Sequence, residues 1–145
     1  MIIFFDINVV LDVYLERAAS AGSKHMLKVT VGADCAIFVA WHTAATAYYI
    51  FHARSKLPDA ECRGHLTDLI SWAGVVPSGT PELEHALSLE MRDFEDAMQI
   101  AAAVQCGADV IVTRNTNDFS ASPIPALTPE DFLAQYFPEA LPAAP

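Results

Sequence analysis

The chain has 145 residues, a formal net charge of -10 and a sequence pI near 4.6, and 53% of its residues are hydrophobic. This length and apolar content predict one domain with a buried core. The negative charge argues against non-specific nucleic-acid binding, which depends on lysine and arginine side chains at phosphates. A nucleic acid ligand would need metal ions, a basic partner or a local basic patch.

The cysteines predict a reducing environment. Cys35, Cys62 and Cys106 are widely spaced, and no Cys-x-x-Cys pair occurs, so neither a zinc ribbon nor a disulfide framework is indicated. The opening "MIIFFD" lacks the charged leader of a signal peptide, and no apolar run is long enough to span a membrane. We therefore expect a cytoplasmic protein that does not associate with membranes.

Strands and helices alternate along the chain, which predicts an α/β fold with a central parallel sheet flanked by helices. We assign residues 1–137 to a single domain and the Pro/Ala-rich residues 138–145 to a flexible tail. The predicted strands are 2–5, 35–40, a short one near 75–76, and 109–113. The predicted helices lie at 7–17, within 18–32, and at 42–55, 59–74, 81–90, 93–106 and 128–137, with Thr80 as an N-cap and Gly107 as a stop.

The helix that begins in "RDFEDAMQIAAAVQ" carries three acids in its first turn, Asp93, Glu95 and Asp96. Acids at this position ordinarily interact with the positive end of the helix, which suits Asp93 and Glu95. Asp96 shares its helix line with Ile100 and Ala103, so it is expected to face the core, whereas Glu95 is expected to face water. A carboxylate on an apolar line needs a cation or a hydrogen-bond donor.

Asp6 poses the same problem, because it ends a strand that is buried on both faces. It could cap the following helix, with Asn8 assisting, and Asp118 could be an ordinary turn residue. Asp6, Asp96 and Asp118 together favour another account. Carboxylates that converge at strand ends repel one another, and Mg²⁺ bound by carboxylates and water relieves that repulsion.

Residues after the last predicted long strand could complete such a site. Thr113 and Asn115 could hold a water molecule or a phosphate oxygen, and Arg114 could contact phosphate or form an ordinary ion pair with an acid. His42 and His52 are ten positions apart, which is not the spacing of zinc ligands on a helix.

Three segments resemble a bacterial PIN domain of the VapC-like group, whose members are toxins of toxin–antitoxin pairs. They are "IIFFDINVVLDVYLER", "FEDAMQIAAAVQCGADVIVTRNTNDF" and "SPIPALTPEDFL". The resemblance is strong at both ends of the chain and weak between about residues 18 and 90. It implies a compact α/β fold, an acidic cluster that binds Mg²⁺ or Mn²⁺, and hydrolysis of RNA phosphodiester bonds.

The resemblance also implies roles for individual residues. Asp6 and Asp96 would be the principal metal ligands, and Asp118 with Asn115 would complete the far side of the catalytic site. Thr113 would orient water or phosphate, and Asn8 would brace the loop at Asp6. From their positions beside these acids, we predict that Asn8, Arg114 and Asn115 bind the substrate. An antitoxin partner that inserts a basic side chain among the acids is implied, as is a homodimer.

The chain departs from the family pattern in one respect. Such domains usually carry a further acid on the helix after the second strand, but Ala45, Thr46 and Ala47 occupy that region here. This favours one Mg²⁺ over two. It also leaves open a degenerate PIN domain that binds RNA or a protein without cleaving either. A phosphoacceptor role for Asp6, as in receiver domains, would need a lysine at a later strand end, where Thr113 and Arg114 stand instead.

Overall fold

The computed structural model describes residues 1–141. Its single domain is built on one five-stranded parallel sheet of order β3-β2-β1-β4-β5, which confirms the predicted fold class. The strands are β1 (Ile2–Phe5), β2 (Ala36–Ala40), β3 (Gly74–Val76), β4 (Val110–Val112) and β5 (Ala126–Leu127). The described residues contain seven α-helices: α1 (Ile7–Tyr14), α2 (Ser20–Gly32), α3 (Trp41–Tyr49), α4 (Asp59–Trp72), α5 (Thr80–Ser88), α6 (Phe94–Gln105) and α7 (Pro129–Tyr136).

Both faces of the sheet are covered, because neighbouring residues of each strand point to opposite sides. On one face Ile3 and Phe5 of β1 pack in a cluster with residues of α1, α2, α4 and α7. On the other face Phe4 packs in a cluster with Ile100 of α6. These three β1 side chains are fully buried, which explains why the strand reads as an unbroken apolar run.

The strand order places β1 beside β4, although nearly the whole chain separates them in sequence. From β1 the chain proceeds to β2 and β3 on one side, and later to β4 and β5 on the other. Ligands of open α/β sheets gather at such a reversal, beyond the carboxyl ends of the strands. Asp6 and Thr113 are the residues that directly follow β1 and β4 at this point.

Several helix ends differ from the sequence prediction, and α1, for example, ends at Tyr14 instead of at residue 17. Thr80 does not cap α5; Gly79 precedes the helix, and its N–H donates to the Glu82 carboxylate at 2.7 Å, so a side chain within the first turn supplies the acceptor. The predicted helix over 42–55 ends as α-helix at Tyr49 and continues as a π-helical turn over Ile50–Arg54.

The segment 114–125, predicted as a loop, contains a short 3-10 helix, Thr116–Phe119, and is followed by β5. The strand β5 was not predicted, since two residues are too few to show a periodic pattern. The predicted stop of α6 is confirmed. Gly107 has φ of 66°, the left-handed conformation that glycine adopts most readily after a helix.

The predicted tail, residues 138–145, lies partly outside the described residues. Within it Pro138–Ala140 form a 3-10 turn after α7, and the Ala140 carbonyl lies 2.8 Å from the Nε2 atom of His25 on α2. Among residues 1–141, none of the helices combines the length and apolarity that crossing a bilayer requires.

Arg114 joins three helices on the α1 side of the sheet. Its Nε–H donates to Asp12 of α1 at 2.9 Å, and Nη1 donates to both oxygens of Glu130 on α7, at 3.0 and 2.8 Å. Nη2 donates to the Ala19 carbonyl and to the Ser23 hydroxyl of α2, both at 2.7 Å. The guanidinium thus has protein acceptors for all five of its N–H groups. Arg114 forms the internal ion pair that the sequence left open, and it has no donor left for phosphate.

We expect Arg114→Met to destabilise the fold by about 3 kcal/mol, because it leaves the buried Asp12 carboxylate, 3% exposed, without its nearest cation. The exposed pair Arg63–Asp59 supplies a control, and Arg63→Met should leave the unfolding midpoint almost unchanged. Urea unfolding followed by circular dichroism measures both. Equal midpoints for the two variants would contradict a structural role for Arg114.

Candidate metal centre at the strand ends

Asp6 is held at the end of β1 by hydrogen bonds from uncharged groups. Its backbone N–H donates to the Val112 carbonyl of β4 at 3.0 Å. Its Oδ2 atom accepts from the Thr113 hydroxyl at 2.8 Å and from the Asn8 amide at 3.4 Å. The residue is 1% exposed, and its other carboxylate oxygen, Oδ1, is buried without a hydrogen-bond partner among the described residues. An oxygen in this position needs a cation or a donor from outside the chain.

The capping role left open for Asp6 is not seen. Asp6 occupies the N-cap position of α1, but its side chain forms no capping hydrogen bond with a backbone N–H of that helix. Since both Thr113 and Asn8 donate to Oδ2, these residues fix the orientation of the carboxylate. Thr113 is itself fully buried, so its hydroxyl acts on Asp6 and is not open to a substrate.

The first turn of α6 brings further acids to Asp6. Asp93 caps the helix, because its Oδ1 atom accepts from the Glu95 N–H at 2.9 Å, and Asp96 one turn later is only 9% exposed. Asp6, Glu95 and Asp96 each place a carboxylate oxygen so that the three atoms lie within 4.8 Å of one another. This spacing suits hard oxygen ligands around one divalent cation.

Glu95 was expected to face water, but only 34% of its side chain is exposed, and its carboxylate lies beside the other acids of the centre. The Glu95 Oε1 atom accepts from the Gln99 amide at 2.5 Å and lies 3.0 Å from the Nε2 atom of His42 on α3. Gln99 made the line of Glu95 look polar in the sequence, yet it is fully buried. A buried amide four residues after an acid can fix the acid's side chain on the inner face of the helix, and this was the sequence signal that could have identified Glu95.

Burial and mutual repulsion shift the acids toward the protonated form. Burial is the main cause that raises the pKa of Asp6 from 3.8 to about 6, against the lowering effect of the Thr113 hydrogen bond. Burial also raises the pKa of Asp96 to about 7, assisted by the negative charges of Asp6, Asp93, Glu95 and Asp118. A cation bound beside these carboxyl groups would stabilise their ionised forms and lower their raised pKa values.

Asp118 lies on the solvent side of the centre. It is exposed in the 3-10 helix, and with Asp96 and Asp93 it lines a cavity of about 510 Å³. It is not one of the three acids within 4.8 Å of one another, so a direct bond to the same cation is not supported for Asp118 by this arrangement.

The remaining predicted residue, Asn115, and one that was not predicted, Arg92, both lie at the surface. Asn115 is exposed, and its backbone N–H donates to the Thr113 hydroxyl at 3.1 Å. Arg92, which the sequence did not single out, is exposed and lines the same cavity as Asp96 and Asp118. The positive side chain beside the centre is therefore Arg92 and not Arg114. Its proximity depends on the packing of the segment before α6, which no local pattern reports.

Comparison with known proteins gives consistent results. The family model described as PIN domain matches residues 3–117. Ribonuclease VapC1 of Aquifex aeolicus is 24% identical over an alignment of 140 residues, and the alignment covers 92% of this chain and 94% of that protein.

Solved structures share the fold. The chain superposes with a TM-score of 0.68 and 14% identity on a structure of VapBC2 from Rickettsia felis bound to a promoter DNA fragment, over 88% of this chain and 98% of that one. A VapBC-1 structure from nontypeable Haemophilus influenzae gives a TM-score of 0.65 at 14% identity, over 90% and 99%.

The raised carboxyl pKa values predict how stability depends on pH without metal. Between the unfolded pKa near 4 and the folded value near 6 for Asp6, the folded state holds a proton that the unfolded chain has lost, so stability falls as pH rises. The free energy of unfolding of the wild type should therefore decrease between pH 5 and pH 8. We expect Asp6→Asn to make that decrease smaller by on the order of 1 kcal/mol. Thermal unfolding in EDTA measures it.

The exposed Asp34 provides the control for this experiment, because Asp34→Asn removes the same charge far from the described acids and should keep the wild-type slope. A slope that is identical in wild type and Asp6→Asn would contradict the burial of an ionisable Asp6.

Proposed function

The chain belongs to the PIN-domain family, and we propose that it is a metal-dependent ribonuclease that hydrolyses RNA phosphodiester bonds. The observation that carries the proposal is the buried Asp6 Oδ1 atom, which has no partner among the described residues and lies beside the carboxylates of α6. A relative that matches over nearly its whole length bears the name Ribonuclease VapC1, which supports RNA as the substrate class.

The residues of the centre fit a divalent cation, and we propose Mg²⁺ or Mn²⁺, held principally by Asp6 and Asp96. The donor atoms are carboxylate oxygens, which are the ligands these hard cations prefer. The two carboxyl groups have raised pKa values in the metal-free chain, so a cation would compete with protons for them. Affinity for the cation should therefore increase as pH rises through the range 6–7.

A bound cation of this kind would activate water and stabilise negative charge on phosphoryl oxygens. Thr113 and Asn8 keep the Asp6 carboxylate in one orientation, so that little reorganisation is needed when substrate binds. Asp118, on the wall of the cavity, would orient a water molecule from the solvent side. Arg92, which lines the same cavity, would offer a positive side chain to phosphate oxygens, and the exposed Asn115, next but one to Thr113, would offer a neutral one.

We further propose that the ribonuclease is the toxin of a toxin–antitoxin pair. Two of the structures that share its fold are named as VapBC assemblies, and one of them includes promoter DNA. The cavity beside the centre is lined by Glu90, Asp93, Asp96 and Asp118, which suits a segment of a partner that carries arginine or lysine. A homodimer belongs to the same proposal.

The second candidate is a binding module that holds RNA or a protein without cleavage. It is favoured by the absence of an acid at Ala45, Thr46 and Ala47 of α3. Stabilisation of the fold by Mg²⁺ with no cleavage of any RNA would support this candidate over the ribonuclease.

We expect Asp6→Asn and Asp96→Asn each to reduce Mg²⁺-dependent cleavage by at least about 100-fold, because each removes one of the charged groups proposed to hold the cation. The substrate is an end-labelled pool of random-sequence RNA, with EDTA as the metal-free reference. Asp34→Asn is the matched control and should retain full activity, since Asp34 is exposed and far along the chain from the acids. Cleavage by Asp6→Asn at the wild-type rate would exclude the proposed centre.

We expect Arg92→Gln to weaken RNA binding and to lower the salt dependence of that binding, with a change in slope of about 1 for the loss of one phosphate contact. Filter binding in Ca²⁺ at several salt concentrations measures the slope. Arg54→Gln, at another exposed arginine, controls for net charge. Equal slopes for the two variants would show that Arg92 acts only through the overall field.

A further inference from the structure

We infer that Glu95 is the third carboxylate ligand of the proposed metal centre, and that His42 and Gln99 position it. This inference rests on the proposed function. It assigns to α6 the further acidic ligand that was expected on α3, where this chain has Ala45, Thr46 and Ala47. Glu95 precedes Asp96 directly in the sequence, so one helical turn would contribute two ligands from neighbouring positions. Asp6 would supply the third from the end of β1.

The distances support the assignment. A carboxylate oxygen of Glu95 lies within 4.8 Å of an oxygen of Asp6 and of an oxygen of Asp96. The oxygens of Asp6 and Asp96 are separated by no more than the same distance. Glu95 is more exposed than the other two acids, with 34% of its side chain accessible, but its distances match theirs. A cation between three oxygens at these distances would need only small side-chain adjustments to reach bonding distances of about 2.1 Å.

The hydrogen bonds of Glu95 leave one oxygen for a ligand. Two groups donate hydrogen bonds to the Glu95 side chain, Gln99 Nε2 and His42 Nε2, and both donate to its Oε1 atom. Among the described residues, no donor is found on Oε2. Donors on one oxygen fix the carboxylate plane and leave the other oxygen to coordinate, as is usual for carboxylates that bind metals.

The burial of Gln99 points to the same role. This amide is 0% exposed, and its Oε1 atom is buried without a partner among the described residues. An unsatisfied buried acceptor destabilises a fold, so an apolar residue would be favoured here on stability alone. The contact that Gln99 does make is to Glu95, and the arrangement is explained if holding that carboxylate inward is its role.

We expect Glu95→Gln to weaken Mn²⁺ binding by more than about tenfold, because it removes a charged ligand while keeping the size of the side chain. Electron paramagnetic resonance of free Mn²⁺ during titration measures the affinity without any nuclease assay. Glu84→Gln on the exposed face of α5 is the matched control and should bind Mn²⁺ like the wild type.

Asp6→Asn in the same titration separates this inference from the proposed function. If Asp6→Asn loses Mn²⁺ binding while Glu95→Gln keeps wild-type affinity, Glu95 is not a ligand and the inference is overturned, with the metal centre itself unaffected. If Asp6→Asn also binds Mn²⁺ like the wild type, the proposed function fails as well.

Gln99→Met tests the positioning role, since methionine has a similar size but no amide donor. We expect Mn²⁺ affinity to fall by about tenfold, while the thermal midpoint in EDTA stays the same or rises because the unpaired amide oxygen is gone. A lower midpoint with unchanged Mn²⁺ affinity would mean that Gln99 serves only the packing of α6, and would overturn this part of the inference.

Discussion

A buried carboxylate at the end of the central strand, with one oxygen that finds no hydrogen-bond partner within residues 1–141, is the constraint that the surrounding structure has to satisfy. Asp6 follows three fully buried residues of β1, so its side chain cannot turn to solvent without disrupting the sheet. Isolated charge in such a place is strongly unfavourable. The fold meets this with hydrogen bonds on Oδ2 and with two further carboxylates, of Glu95 and Asp96, whose oxygens lie within 4.8 Å of an oxygen of Asp6.

The charged groups around this centre are segregated. In residues 1–141 neither Asp6 nor Asp96 forms a salt bridge with lysine or arginine; the groups that donate to Asp6 and Glu95 come from threonine, asparagine, glutamine and histidine. Arg114 lies two residues after the end of β4 and instead forms ion pairs with Asp12 and Glu130. The negative potential of the centre is thereby kept for an external cation, and the network anchors α2 and α7 independently of it.

The sequence alone identified the strands that carry the centre and two of the three acids that lie close to one another there. Asp6 was identifiable because it ends an unbroken apolar run, and Asp96 because it stands on an apolar helix line. Glu95, His42 and Arg92 were not, since their positions at the centre depend on how α3, α6 and the segment before α6 are arranged in the fold. Arg114 was ambiguous for the same reason: its acceptors come from α1, α2 and α7, which a local pattern cannot relate.

The strand order also bears on when the centre can exist during synthesis. Asp6 is synthesised well before its neighbours Asp96 and Thr113, and Thr113 follows it by 107 residues, although β1 has β4 as a direct neighbour in the sheet. A nascent chain that has not yet released β4 has no pocket in which these side chains can meet. Chains that terminate before β4 therefore lack the assembled acids, and only molecules that contain β4 can form the centre.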